Sequence, residues 1–146
     1  MKYILIFLFP FSAYAIQARD LIGDAAKLYE LTRSGAPEKR AVALRYADLL
    51  FDGALEIHGD SKSSARDLDR AEGYRRKSLA LYQECLSSLK GLSALRVKFQ
   101  ISRLHAYAGQ MAPAIRIWRE LSRQSEDLNI KRESSLHLAE QLELAN

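Results

Sequence analysis

The sequence predicts an all-α chain of about six helices. Three observations lead there. First, Ala114, Ile115, Trp118 and Leu121 form a small, apolar, aromatic, apolar series behind Gly109 and Met111, and it recurs as Ser78, Leu79, Tyr82 and Cys85 and as Ala25, Ala26, Tyr29 and Thr32. Offsets of three and four place such residues on one helix face, with a small side chain where a neighbouring helix comes close. Second, an apolar, small, charged order lies between those copies: Tyr46, Ala47, Asp48 and Leu49; then Ile101, Ser102, Arg103 and Leu104; then Leu138, Ala139, Glu140 and Gln141. Small residues at Ala47, Ser102 and Ala139 would let two helix backbones approach closely. Third, no stretch alternates with the period of two that a half-buried strand requires.

The helix ends have local causes. Asp20 is placed to cap the first helix and Gly35 to end it. Pro37 suits the first turn of a second helix from Glu38 to Ile57, since a missing N–H costs nothing there. Asp69 and Glu72 form a capping box for a long third helix that Gly91 closes. Ser93 starts the fourth, which ends at Gly109. Pro113 sits in the first turn of the fifth, and the sixth runs from Ile130 to Leu144.

The interval from Tyr46 to Ile101 is 55 positions, against 37 from Ile101 to Leu138. The first repeat therefore carries extra residues, and the polar stretch HGDSKSSAR places them in a loop at about 58–67. That loop holds no glycine-rich run into Gly-Lys-Ser or Gly-Lys-Thr, so it is no phosphate loop. Lys62 stands where an EF-hand needs an oxygen ligand.

The alternating series resemble the tetratricopeptide repeat (TPR), whose helices A and B pair over about 34 residues. In the clearest copy, Arg96 to Leu121, Ser102 is at the small position of helix A, Gly109 at the turn, Ala114 at the small position of helix B and Trp118 at its aromatic position. Lys98 and His105 stand where the family carries aromatics in helix A. The resemblance covers nearly all of residues 16–146, in the order B, A, B, A, B, A, and implies antiparallel hairpins stacked as a short right-handed solenoid. It also implies a concave groove lined by the A helices. On this chain the groove residues would be Leu44, Asp48 and Phe51; Arg96, Phe99, Arg103 and Tyr107; and Leu136 and Glu140. Arginine forks beside aromatic rings suit a peptide or protein partner. Phe99 and Tyr107 fit the core equally well.

A second basic stripe, Arg116, Arg119 and Arg123, follows helical spacing, diluted by Glu120 and Glu126. It fits a solvated face, or else an anionic glycan or membrane surface; Arg75, Arg76 and Lys77 read the same way. No catalytic, metal or cofactor residues are expected. The histidines His58, His105 and His137 lie far apart, with no paired cysteines, HExxH or Gly-x-Ser-x-Gly, and the pair His137 and Glu140 alone makes a weak ligand set. An enzyme using the groove carboxylates Asp48 and Glu140 is the alternative from another class.

At the start of the chain, Lys2, the apolar run Tyr3 to Phe11 and Ala13-Tyr14-Ala15 have the form of a secretory signal peptide, residues 1–15, cleaved after Ala15. The run is shorter than the roughly 20 residues that span a bilayer. The expected location is therefore the periplasm or the medium. Removing these residues takes away Lys2 and no acidic side chain, so the formal net charge falls from +4 to +3, which gives no reason to expect nucleic acid. The only cysteine, Cys85, occupies a core slot and leaves no internal disulfide. The expected function is an exported scaffold that binds a protein or peptide partner, with the last helix, rich in Leu136, Leu138, Leu142 and Leu144, available for self-association or docking on a partner.

Overall fold

The computed structural model describes the backbone of residues 11–144 and the side chains of residues 21–143. Among these residues the chain is all-α, six helices that pack against their neighbours as in a helical repeat. They are α1 (Phe11–Leu31), α2 (Pro37–Gly59), α3 (Ala65–Leu86), α4 (Gly91–Tyr107), α5 (Met111–Gln124) and α6 (Leu128–Leu144). Two compact units divide the chain, Met1–Tyr74 and Arg75–Asn146, with the boundary inside α3. None of the described helices is long and apolar enough to cross a membrane.

In the first unit α1 packs on α2. Of the segment read as an export signal, residues 1–10 lie outside the described residues and 11–15 begin α1. Asp20 is thus inside a helix and does not cap one, because no Gly or Pro interrupts the sequence between Pro10 and Gly23. The helix stops at Leu31, four residues before Gly35. Thr32 donates both its N–H (3.0 Å) and its hydroxyl (2.6 Å) to the Leu28 carbonyl, and Gly35 at φ +83° then turns the chain. Pro37 is the first residue of α2, as its sequence position predicts. The Tyr29 and Tyr46 rings meet at 5.9 Å, and the Lys39 ammonium lies over Tyr29, 3.6 Å from its centroid, while donating to the Tyr29 carbonyl. Gly53 marks a close approach of α2 to its neighbours. A Cβ there would come within 2.7 Å of Ile22 Cδ1 in α1 and 3.5 Å of Tyr74 Cδ2 in α3.

The extra length of the first repeat went mostly into helices. α2 and α3 span 23 and 22 residues, against 17 and 14 in α4 and α5, and the connection expected at 58–67 is only residues 60–64. Within it Asp60 Oδ1 accepts the Lys62 N–H at 2.9 Å and Ser63 donates to the Ile57 carbonyl at 2.5 Å. The capping box falls five residues before the expected Asp69–Glu72 pair. Asp67 donates its N–H to Ser64 Oγ (3.2 Å), and the Ser64 N–H returns to Asp67 Oδ2 (3.1 Å). A serine directly after the turn meets the free N–H groups first. Ser64→Ala should therefore cost about 1 kcal/mol in urea denaturation, and Asp69→Ala, at an exposed position within the helix, less than about 0.5 kcal/mol.

In the second unit α4 packs on α5, α5 on α6, and α4 touches α6. Gly91 opens α4 with φ +56° and does not close α3, which ends at Leu86. Gly109, at φ +71°, ends α4 through a Schellman pair: Gly109 N–H to the Ala106 carbonyl (2.9 Å) and Gln110 N–H to the His105 carbonyl (2.9 Å). Asp127 caps α6, its Oδ1 accepting from the N–H groups of Asn129 (2.9 Å) and Ile130 (3.1 Å). Tyr82, Cys85, Val97, Ile101, Leu104, Ala114, Trp118, Leu121 and Ile130 are all buried. The small repeat positions Ala47, Ser78, Ser102 and Ala114 are each 0% exposed, which is what close helix approach requires. Two small positions depart from the series: Ala25 on α1 is half-buried, and Ala139 on α6 is exposed while Ser134 takes the buried place on that helix.

Candidate partner-binding surface

The predicted groove residues divide between the two units. In the first, Leu44 and Asp48 on α2 are half-buried and Phe51 is 3% exposed. Phe51 follows the buried Ala47 by one turn on the same face, so it fills the core and offers no surface.

In the second unit the residues come together. On α4, Arg96, Gln100, Arg103 and Tyr107 follow at spacings of four, three and four, hence along one stripe. Arg96 is exposed and the other three are half-buried. The Arg103 guanidinium donates to Gln100 Oε1 at 3.0 Å, which holds one edge of the fork along the helix. Phe99, next to this stripe, is half-buried and reaches α6, where its ring lies 6.1 Å from that of His137. His137 in turn stacks on Trp118 of α5, with centroids 4.7 Å apart and planes at 22°. Trp118 is 2% exposed, so the aromatic row runs from the core outward to Phe99. On the α6 side, His137 Nδ1 lies 3.2 Å from Glu140 Oε2, Glu140 is exposed and Leu136 is 53% exposed. The surface thus sets two arginines on α4 and a carboxylate on α6 on either side of an aromatic pair.

His137 and Gln100 are missing from the sequence-based set. The helical spacing of Gln100 relative to Arg96 and Arg103 was a usable signal. The stacking of His137 was not, since it depends on how α5 and α6 pack. An open depression at the start of α4, lined by Leu92, Leu95, Lys98, Gln124, Glu126 and Asp127, includes none of the expected residues.

On α5, Arg116, Arg119 and Arg123 are all exposed. Glu120 does not dilute them as the sequence suggests, because its carboxylate is taken by Lys98 of α4 at 2.5 Å. Arg75 is 7% exposed and so is no part of a solvated basic face, whereas Arg76 and Lys77 are exposed. Cys85 is buried at 5% exposure. Among the described residues no group of three His, Cys, Asp or Glu side chains is arranged to hold a metal ion. Comparisons with family models, with curated proteins and with solved structures gave no match.

Proposed function

We propose that this chain is an exported, TPR-like scaffold that works by binding and not by catalysis, and that it holds an extended peptide or a protein partner along the α4–α6 face. The observation that carries the reading is the juxtaposition of Arg96 and Arg103 with the half-buried Phe99 and His137, faced by Glu140. Guanidinium forks bind a carboxylate in bidentate fashion, and aromatic edges supply apolar area at small entropic cost. A partner segment with an acidic residue beside an apolar one fits this surface. Support for export lies in Lys2, the apolar run and Ala13-Tyr14-Ala15, which place cleavage after Ala15 and delivery to the periplasm or medium.

The test is capture of partners from the exported fraction with this chain as bait, beside an Arg96→Glu, Arg103→Glu double variant. Both positions lie on the outer stripe of α4, so circular dichroism stays unchanged while partner recovery falls by at least about tenfold, the size expected when a buried charge-assisted contact is reversed. Equal recovery by both forms would remove the α4 surface from the reading. In that event the arginines of α5 become the better site, favoured by the diversion of Glu120 to Lys98. Binding there to an anionic glycan or membrane surface would weaken steeply with added salt.

A further inference from the structure

We propose that this chain associates head to tail, with α1 of one copy lying along the outward face of α6 of another. The partner is a second copy of the same chain, indicated by the repeat register together with the exposure of equivalent positions. A shift of 37 positions carries Ile101 and Ser102 of α4 onto Leu138 and Ala139 of α6; a shift of 89 carries Ala114 and Trp118 of α5 back onto Ala25 and Tyr29 of α1.

The α4–α5 interface shows what each equivalent face is shaped to meet. On α4 it uses Lys98, Ser102 and His105. Ser102 is 0% exposed, Lys98 holds Glu120 at 2.5 Å, and His105 Nδ1 meets Gln110 Oε1 at 2.7 Å. The equivalents on α6 are Ser135, Ala139 and Leu142, all exposed, Leu142 at 68%. On the α5 side the interface uses Gln110 and Glu120, with Ile117 between them on the same face. The equivalents on α1 are Leu21, Leu28 and Leu31, exposed at 45%, 54% and 83%. Meanwhile the opposite faces are engaged as the register requires: Ile22 and Tyr29 of α1 meet α2, and His137 of α6 meets Trp118 of α5. Among the described residues, then, α6 exposes the face that takes a helix like α5, and α1 is patterned like α5 with the matching face exposed.

Laying α1 on α6 in the geometry of α5 on α4 sets Leu21 against Leu142, Leu31 against Ser135 and Leu28 over the small Ala139. Both polar clasps of the internal interface give way to leucine at these places. Large side chains meet small ones, and apolar surface now in water is covered. The contact is heterologous, each copy offering two different faces, so it propagates from one copy to the next.

The experiment is sedimentation of the purified chain over a wide concentration range, with Leu28→Arg and Ala139→Arg variants. Both changes are at exposed positions, and unchanged helix content by circular dichroism verifies that they fold. The wild type is expected to exceed the mass of one chain as concentration rises. Each variant alone should stay at one chain. An equimolar mixture of the two should reach the mass of two chains and stop, because one intact face remains on each. Wild type that stays at one chain at the highest soluble concentration, variants that still associate alone, or a mixture that stays at one chain would each overturn the proposal. A Leu21→Cys, Leu142→Cys chain supplies an independent readout, since Cys85 is buried. Disulfide-linked multimers are expected on oxidation, and only uncrosslinked chain would overturn it.

Discussion

Trp118→Ala is expected to destabilise the second unit by about 3–5 kcal/mol, a large share of the roughly 5–15 kcal/mol that holds a typical domain folded. Trp118 is 2% exposed and sits where α5 meets α6. Its removal opens a cavity and also unstacks His137, an aromatic contact worth about 0.5–1.5 kcal/mol beyond its area. The indole Nε1 has no hydrogen-bond partner among the described residues, so the substitution forfeits packing and no hydrogen bond. Urea denaturation followed by circular dichroism at helical wavelengths reads the loss, since Trp118 is the chain's sole tryptophan and its fluorescence goes with it. A loss under about 1 kcal/mol would mean that α5 and α6 do not depend on this stack.

Leu104→Ala is the second large effect, about 2–5 kcal/mol. Leu104 is 0% exposed, and its neighbour Arg103 is half-buried on the outer stripe of α4. The two adjacent residues should separate stability from binding. Arg103→Ala should leave the denaturation midpoint nearly unchanged, within about 0.5 kcal/mol, yet reduce partner recovery. Leu104→Ala should lower the midpoint while leaving the partner surface in place for as long as the chain stays folded. If Arg103→Ala instead proved as destabilising as Leu104→Ala, Arg103 would be a packing residue, and the α4–α6 surface would lose its main cationic contact.

Much of this architecture was legible in the residues. The helical series occurs three times, and the structure buries its aromatic members Trp118 and Tyr82 at 2% and 1% exposure, with Tyr29 half-buried against Tyr46. Pro37, Gly109 and Pro113 marked ends correctly because each acts through its own backbone, by a fixed φ or a permitted positive φ. Asp20, Gly91 and the Asp69–Glu72 pair misled for a related reason. A residue suited to a cap can equally sit inside a helix or just before one, and which of these happens depends on neighbours several residues away.

The surface shows the same division. Spacing along α4 aligns Arg96, Gln100, Arg103 and Tyr107 on one stripe whatever lies beside it. The burial of Phe51, the turning of Glu120 toward Lys98 and the stacking of His137 on Trp118 each require a second helix at a particular distance and angle.

That this chain is all-α, where most of its helices lie and which face of each helix carries the aromatic and most of the small inward positions follow from a period of 3.6 residues and from local backbone chemistry. Packing between helices set the rest: the added length of the first repeat extends two helices, Ser134 and not Ala139 is the buried small residue of α6, and particular side chains remain in water. Those outcomes are settled by contacts between residues distant in sequence, where packing density and the pairing of charges outweigh any preference a single segment carries.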